Sequence, residues 1–101
     1  MRIATLQSNI TVDEDVLFSD LGRESVVLNP RTATYCGLDE VATRMWVLLA
    51  DHGQVKDVYN QLLAEYDVGE DQLREDLLRF VDELVSQQLV HIDAVESTPP
   101  S

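Results

Sequence analysis

The amino-acid sequence predicts an α+β domain of winged-helix-like order, three short antiparallel strands followed by three helices. Two patterns carry the prediction. Between Val16 and Cys36, short β-branched or aromatic runs alternate with Gly and Pro breaks, and from Glu40 to Gln88 apolar residues recur at helical spacing in three blocks separated by Gly53 and Gly69. The 101 residues make one domain with one modest core, burying about three-fifths of the unfolded surface. Apolar residues at 45% and charged residues at 26% are the proportions of a chain that folds by itself.

Met1 to Asn9 is mixed in character and reads as a flexible N-terminal arm. Residues 10–93 read as the folded domain, and 94–101, closing on Ser97-Thr98-Pro99-Pro100-Ser101, as a disordered tail. Within the domain, Val16-Leu17-Phe18 and Ser25-Val26-Val27-Leu28 are strand runs around Asp20-Leu21-Gly22-Arg23, a hairpin signal. Pro30 lacks an amide hydrogen, so Asn29-Pro30-Arg31-Thr32 turns the chain into a third strand, Ala33-Thr34-Tyr35-Cys36, which Gly37 is expected to break. Asp39 is the expected N-cap of a first helix, Glu40 to Asp51, closed by Gly53 with His52 at its C-terminal end.

The second helix, Gln54 to Tyr66, rests on the stripe Val55, Val58, Tyr59, Leu62, Leu63 and Tyr66. The third starts beneath Gly69 with Glu70 and Asp71 in its first turn. Its residues Leu73, Leu77, Leu78, Phe80, Val81, Leu84 and Val85 spread over an arc of about 160°. Such an arc suits a helix wedged between two others, or one whose margin lines a groove. Leu89-Val90-His91-Ile92 reads as a short extended segment that closes the core.

Nineteen acidic against seven basic residues give a net charge of −12. Phosphate backbones and anionic lipid need Lys and Arg to displace counterions, so neither nucleic acid nor membrane is an expected partner. A winged-helix DNA reader would need a basic recognition helix, and the second helix carries only Lys56 as a full positive charge. Cys36 is the single cysteine, His52 and His91 are isolated, and no Gly-rich phosphate loop is present. That inventory assembles no nucleophile with its base, no metal cluster and no cofactor site, so catalysis is not expected. No run approaches the roughly 18 apolar residues of a membrane span, and the N-terminus lacks a signal peptide's apolar core; the expected setting is the reducing cytoplasm.

The stretch Val26-Val27-Leu28-Asn29, then Thr34-Tyr35-Cys36-Gly37-Leu38-Asp39-Glu40-Val41-Ala42, then Met45-Trp46, resembles the signature of PqqD-like proteins. Tyr66-Asp67-Val68, Glu75-Asp76-Leu77-Leu78 and Leu84-Val85-Ser86-Gln87-Gln88-Leu89-Val90 are similar to that family's later pieces. The likeness spans Val16 to Ile92. Asp39 stands where the family often has Asn, Ala42 where Gly is frequent, and Gln88 where a Gly precedes the last apolar pair. The last departure argues against a left-handed residue closing the third helix, for which Gln is poorly suited.

The resemblance implies a recognition element for ribosomally made, post-translationally modified peptides. In that family the leader segment of the precursor peptide adds as a strand beside the third strand, in the cleft against the third helix, and is presented to a peptide-modifying enzyme such as a leader protease, cyclase or radical enzyme. The residues so implied are Thr34, Tyr35 and Cys36 on the strand and Leu73, Asp76, Leu77, Arg79, Phe80 and Glu83 on the helix. Helical spacing puts Asp76, Phe80 and Glu83 on one strip, with Arg79 further out on the same side. Tyr35 reads equally as a strand aromatic packing on its neighbour, and Trp46 reads as core. The Tyr35-Cys36-Gly37-Leu38 form with the following Trp looks most like stand-alone leader-binding proteins of lasso-peptide pathways. Two alternatives stand beside it: a PqqD-type peptide chaperone for a radical SAM enzyme, and a generic acidic protein–protein adaptor.

Overall fold

The structure is a computed structural model and describes residues 4–93. The expected tail, 94–101, lies outside the described residues, as do the first three residues of the expected arm. The elements run β1 (Ile10–Val12), β2 (Leu17–Asp20), β3 (Ser25–Asn29), β4 (Thr34–Leu38), α1 (Glu40–His52), α2 (Val55–Glu65), α3 (Glu70–Ser86) and β5 (Val90–Ile92). The three antiparallel strands and three helices expected from the sequence are β2–β3–β4 and α1–α3. A second antiparallel ladder, β1 with β5, joins the two ends of the described chain.

The hairpin tips follow from local chemistry. Gly22 (φ 105°) supplies the positive φ between β2 and β3, and Asp20 accepts the Gly22 amide at 2.9 Å. Between β3 and β4, Pro30 to Ala33 form the turn, and Ala33 takes the left-handed conformation (φ 58°) that returns the chain. Gly37 does not break the third strand as expected. It lies inside β4 opposite Val26, with extended backbone that any residue adopts.

Asp39 caps α1 by accepting the Ala42 amide at 2.8 Å, and Gly53 closes the helix in the left-handed region (φ 76°). The end of α3 departs from expectation. Gln88 itself is left-handed (φ 62°), with the Leu89 amide donating to the Leu84 carbonyl and the Gln88 amide to that of Val85, each at 3.0 Å. This is a Schellman closure with Gln where Gly is usual.

The core lies where the three helices meet the inner face of β3 and β4. Leu49, Val55, Val58, Leu62, Leu77, Val81, Leu84 and Leu89 are fully buried, and Val27 and Leu38 meet them from the sheet. Trp46 is buried, as expected, with Phe18 of β2 stacked on it at 6.4 Å between ring centres. Ser25 and Thr43 share a 2.7 Å hydroxyl bond that ties β3 to α1.

Residues ahead of β1, read from sequence as a loose arm, are stitched to the domain from Ala4 onward. Ala4 is buried and its amide donates to Asp82 at 2.8 Å, while the Val55 amide donates to the Ser8 carbonyl at 3.1 Å. None of these bonds has a local sequence signature.

Candidate functional site

Strand β4 has one ladder neighbour, β3, so among the described residues its other edge is free. The register decides which groups face out. In an antiparallel ladder, rungs that exchange hydrogen bonds alternate with rungs that do not. The Leu21 amide donates to the Glu24 carbonyl at 2.8 Å, which sets the bonded rungs of β2–β3 at Ser19/Val26 and Leu17/Leu28. The backbones of Ser25, Val27 and Asn29 therefore face β4, where they meet Leu38, Cys36 and Thr34. Tyr35 and Gly37 are left to direct their N–H and C=O groups at the free edge.

The same parity sorts the side chains. Thr34, Cys36 and Leu38 turn toward the helices and are half-buried or buried, whereas Tyr35 is 70% exposed on the outer face. Thr34 donates to the Gln87 carbonyl at 2.9 Å, and the charge of Glu83 is felt at Cys36. β4 and α3 thus run side by side in opposite directions, Thr34 near the C-terminal end of α3 and Asp39 further back along it. Burial first, and then the Glu83 carboxylate, push the Cys36 thiol up, which keeps it protonated and a poor nucleophile.

Beyond Cys36 a groove of about 240 Å³ opens between α1 and α3, lined by Asp39, Val41, Ala42, Met45, Asp76, Arg79, Phe80 and Glu83. Four residues singled out from sequence, Asp76, Arg79, Phe80 and Glu83, are brought together here. Phe80 is half-buried, packed on the core with part of its surface open. Arg79 pairs with Asp76 at 3.4 Å, and Gln72 donates to the same carboxylate at 2.9 Å. Against one arginine stand Asp39, Asp76 and Glu83, so the groove favours neutral or cationic occupants. Leu77, expected at the site, is instead fully buried in the core and does not line the groove, and Leu73 lies one turn along, in an adjoining hollow.

Sequence reasoning missed the opposite wall. Val41, Ala42 and Met45 carry part of the family signature, and they form the α1 side of the groove. The available signal was Val41 two residues after the Asp39 N-cap, since an apolar residue there is not needed to start a helix; in the structure it is 44% exposed. Among the described residues, no group of three or more His, Cys, Asp or Glu is placed to hold a metal ion, and no helix is long and apolar enough to cross a membrane.

The described residues thus form a small α+β domain in which the free edge of a three-stranded sheet borders an inter-helix groove. The family model for coenzyme PQQ synthesis protein D (PqqD) matches residues 24–90, and the chain belongs to that family. It is similar to the solved structure of TbiB1 in complex with the TbiA(beta) leader peptide, at 28% identity over 86% of this chain and 99% of that one, with a TM-score of 0.74. Lasso peptide synthetase B1, complexed with the leader peptide, shares the fold at a TM-score of 0.72, 20% identity, and coverage of 82% of this chain and 98% of that one. No curated protein matches the sequence.

Proposed function

We propose that this protein binds the leader segment of a ribosomally made precursor peptide by strand addition at β4 and hands it to a processing enzyme. The carrying observation is the free edge of β4, with the Tyr35 and Gly37 backbone groups turned outward, lying beside the α1–α3 groove. Edge hydrogen bonds supply affinity that is indifferent to sequence, and the groove selects among alternate side chains. The similarity to TbiB1, solved in complex with the TbiA(beta) leader peptide, supports the same use of the fold. No catalytic step is asked of this chain, only positioning.

The outer face of the sheet supports the second half of the proposal. Leu17, Leu28 and Tyr35 are direct cross-strand neighbours on that face, with Leu17 58% and Tyr35 70% exposed. A one-sided antiparallel sheet ordinarily turns polar residues outward. An apolar row there suits contact with a protein surface, and it remains open when a peptide occupies the edge of β4.

Hydrogen exchange tests the reading directly, using synthetic candidate leader peptides as probes. On binding, the Tyr35 and Gly37 amides should gain protection while those of Thr34 and Cys36, already in the ladder, change little. Protection confined to other elements would rule out strand addition at β4.

A further inference from the structure

β2 is the opposite edge of the three-stranded sheet from β4, and among the described residues it too has one ladder neighbour, β3. Its bonded rungs are Ser19/Val26 and Leu17/Leu28, so Phe18 and Asp20 direct their N–H and C=O groups at the free edge. Edge strands are ordinarily guarded by charge, by Pro or by a covering element. Here Leu17 and Phe18 are 58% and 39% exposed, and the one charge, Asp20, stands at the end of the strand. Beside Phe18 lies a hollow of about 450 Å³ lined by Val12, Val16, Phe18, Trp46, Val47 and Ala50, which shares no lining residue with the α1–α3 groove. Its one charged residue is Asp51, which makes no ion pair among the described residues. Asp51 and the exposed His52 close the last turn of α1, where the negative end of the helix dipole already disfavours a carboxylate. Asp20 pairs with Ser25, whose hydroxyl meets Thr43 near the start of α1, so Asp20 and Asp51 flank the hollow from opposite ends.

Resting on the leader-binding reading, which puts the leader at β4, we infer that the β2 edge is a second strand-accepting site, taken by an extended basic segment of the processing enzyme. The outer apolar row of Leu17, Leu28 and Tyr35 ends at β2, so an enzyme lying on that row reaches this edge without a break. An added strand runs about 4.8 Å beyond β2, and its alternate side chains turn over the hollow. The residue opposite Phe18 is bulky and apolar, extending the Phe18–Trp46 stack by a cross-strand contact. Thr43 and Asp51 are about 12 Å apart along α1, which an extended chain covers in about four residues. The acids at the two ends therefore call for Lys or Arg two positions to either side of the bulky residue. Leader and enzyme segment then lie about 19 Å apart across three strands, and both edges fill at once.

Phage-displayed random peptides about 12 residues long, long enough to cover either edge, supply the probes when selected on the full chain. One class of enriched peptides should carry the bulky apolar residue flanked by basic ones, and should protect the Phe18 and Asp20 amides from exchange even with a synthetic candidate leader peptide bound. Its affinity should fall by up to about tenfold when a backbone ester replaces the Phe18 amide, and be indifferent to an ester at Tyr35. Asp51→Asn, an exposed change that leaves the fold intact, should weaken it by about two- to fivefold and flatten its salt dependence. Enriched peptides that all respond to the Tyr35 ester and none to the Phe18 ester overturn the second edge and leave the leader reading standing. Protection at Phe18 and Asp20, with candidate leader peptides that leave the Tyr35 and Gly37 amides unprotected, overturns the leader reading and with it the identity of the occupant. At a net charge of −12 the chain alone should sediment as a monomer. A dimer that the Phe18 ester abolishes would give the edge to a second copy and overturn the proposal.

Discussion

The Asn29 side-chain amide donates to the Gln88 carbonyl oxygen at 2.7 Å, joining the last residue of β3 to the left-handed residue that closes α3. Asn29 is fully buried, and its own oxygen accepts the Arg31 amide at 3.0 Å. One side chain thus sets the turn into β4 and fixes that turn against the end of α3. With the Thr34 bond to the Gln87 carbonyl beside it, this contact holds β4 and α3 at the separation the groove requires.

Asn29→Ala removes a donor and an acceptor at once and leaves the Gln88 carbonyl and Arg31 amide without their partner. The expected loss is about 2–3 kcal/mol of stability, at the upper end of what an unsatisfied buried group costs. Urea denaturation measures it. Since the same contact spaces the groove, peptide affinity should fall as well under conditions where the variant is still folded.

Gln88→Gly should stabilise the protein. A left-handed non-glycine residue costs about 1–2 kcal/mol, and the extra freedom of Gly in the unfolded chain returns about 0.5–1 kcal/mol of that. A net gain of about 0.5–1 kcal/mol corresponds to a rise of about 2–8 °C in melting temperature for a domain of this size. A melting temperature that does not rise would mean that the Gln side chain offsets the strain.

Gln88 also marks how far the sequence could be read. Helix positions, the Asp39 and Gly53 caps, the hairpin and the buried Trp46 were legible because each rests on a local pattern of period, cap or turn. The extended segment Leu89-Val90-His91-Ile92 was legible and is β5, but β1, three residues long, is too short for alternation to register, and Ile10–Val12 gave no signal of its pairing with Val90–Ile92. Gly37 was misread as a strand breaker because Gly is weak in strands, and only register shows that it sits at an open edge. The α3 strip of the candidate site came from the family resemblance, with helical spacing placing Asp76, Phe80 and Glu83 side by side. The α1 wall facing it is a tertiary juxtaposition that no spacing along one chain encodes.

Acid should loosen the junction of α1 and α2. Arg44 donates to Glu65 at 2.8 Å, and that guanidinium, helped by the Gln61 amide, lowers the Glu65 carboxyl from an ordinary 4.5 to about 2. A carboxyl with a folded pKa below its unfolded value adds stability above the unfolded pKa, and that contribution is lost as pH falls through the folded one. The melting-temperature gap between the parent protein and Glu65→Gln should therefore be widest above about pH 4.5 and close as pH falls toward 2. A gap that is constant across this window would show that the pair contributes nothing through charge.

Phe80→Ala separates groove from core. Phe80 lines the groove yet packs partly on the core, so its removal should cost less stability than the roughly 3–5 kcal/mol of a fully buried Phe. Leader affinity should fall by more than about 1 kcal/mol if the exposed part of the ring is an anchor. Denaturation and calorimetric titration on the same variant give both numbers. Unchanged affinity with a lowered midpoint would remove Phe80 from the site.

Backbone esters along β4 give the sharpest test, because they remove one N–H and leave the side chain in place. The register makes Cys36 a bonded partner of Val27 and turns the Tyr35 and Gly37 amides to the free edge. An ester at Cys36 should therefore cost about 0.5–1.5 kcal/mol of folding stability through the lost ladder bond. Esters at Tyr35 or Gly37 keep every ladder N–H and only weaken the Thr34 or Cys36 carbonyl as an acceptor, so they should lower the melting temperature less than the Cys36 ester while weakening leader binding, each by up to about tenfold for one edge hydrogen bond. Side-chain variants of Tyr35 would not make the same distinction, since its ring lies on the outer face, 70% exposed, where a partner enzyme is proposed to sit. The Tyr35 ester should thus impair peptide binding by the isolated domain, whereas Tyr35→Ser should spare it and weaken the assembly with the processing enzyme. If both Tyr35 and Gly37 esters bind leader with full affinity in folded protein, the peptide does not pair with this edge.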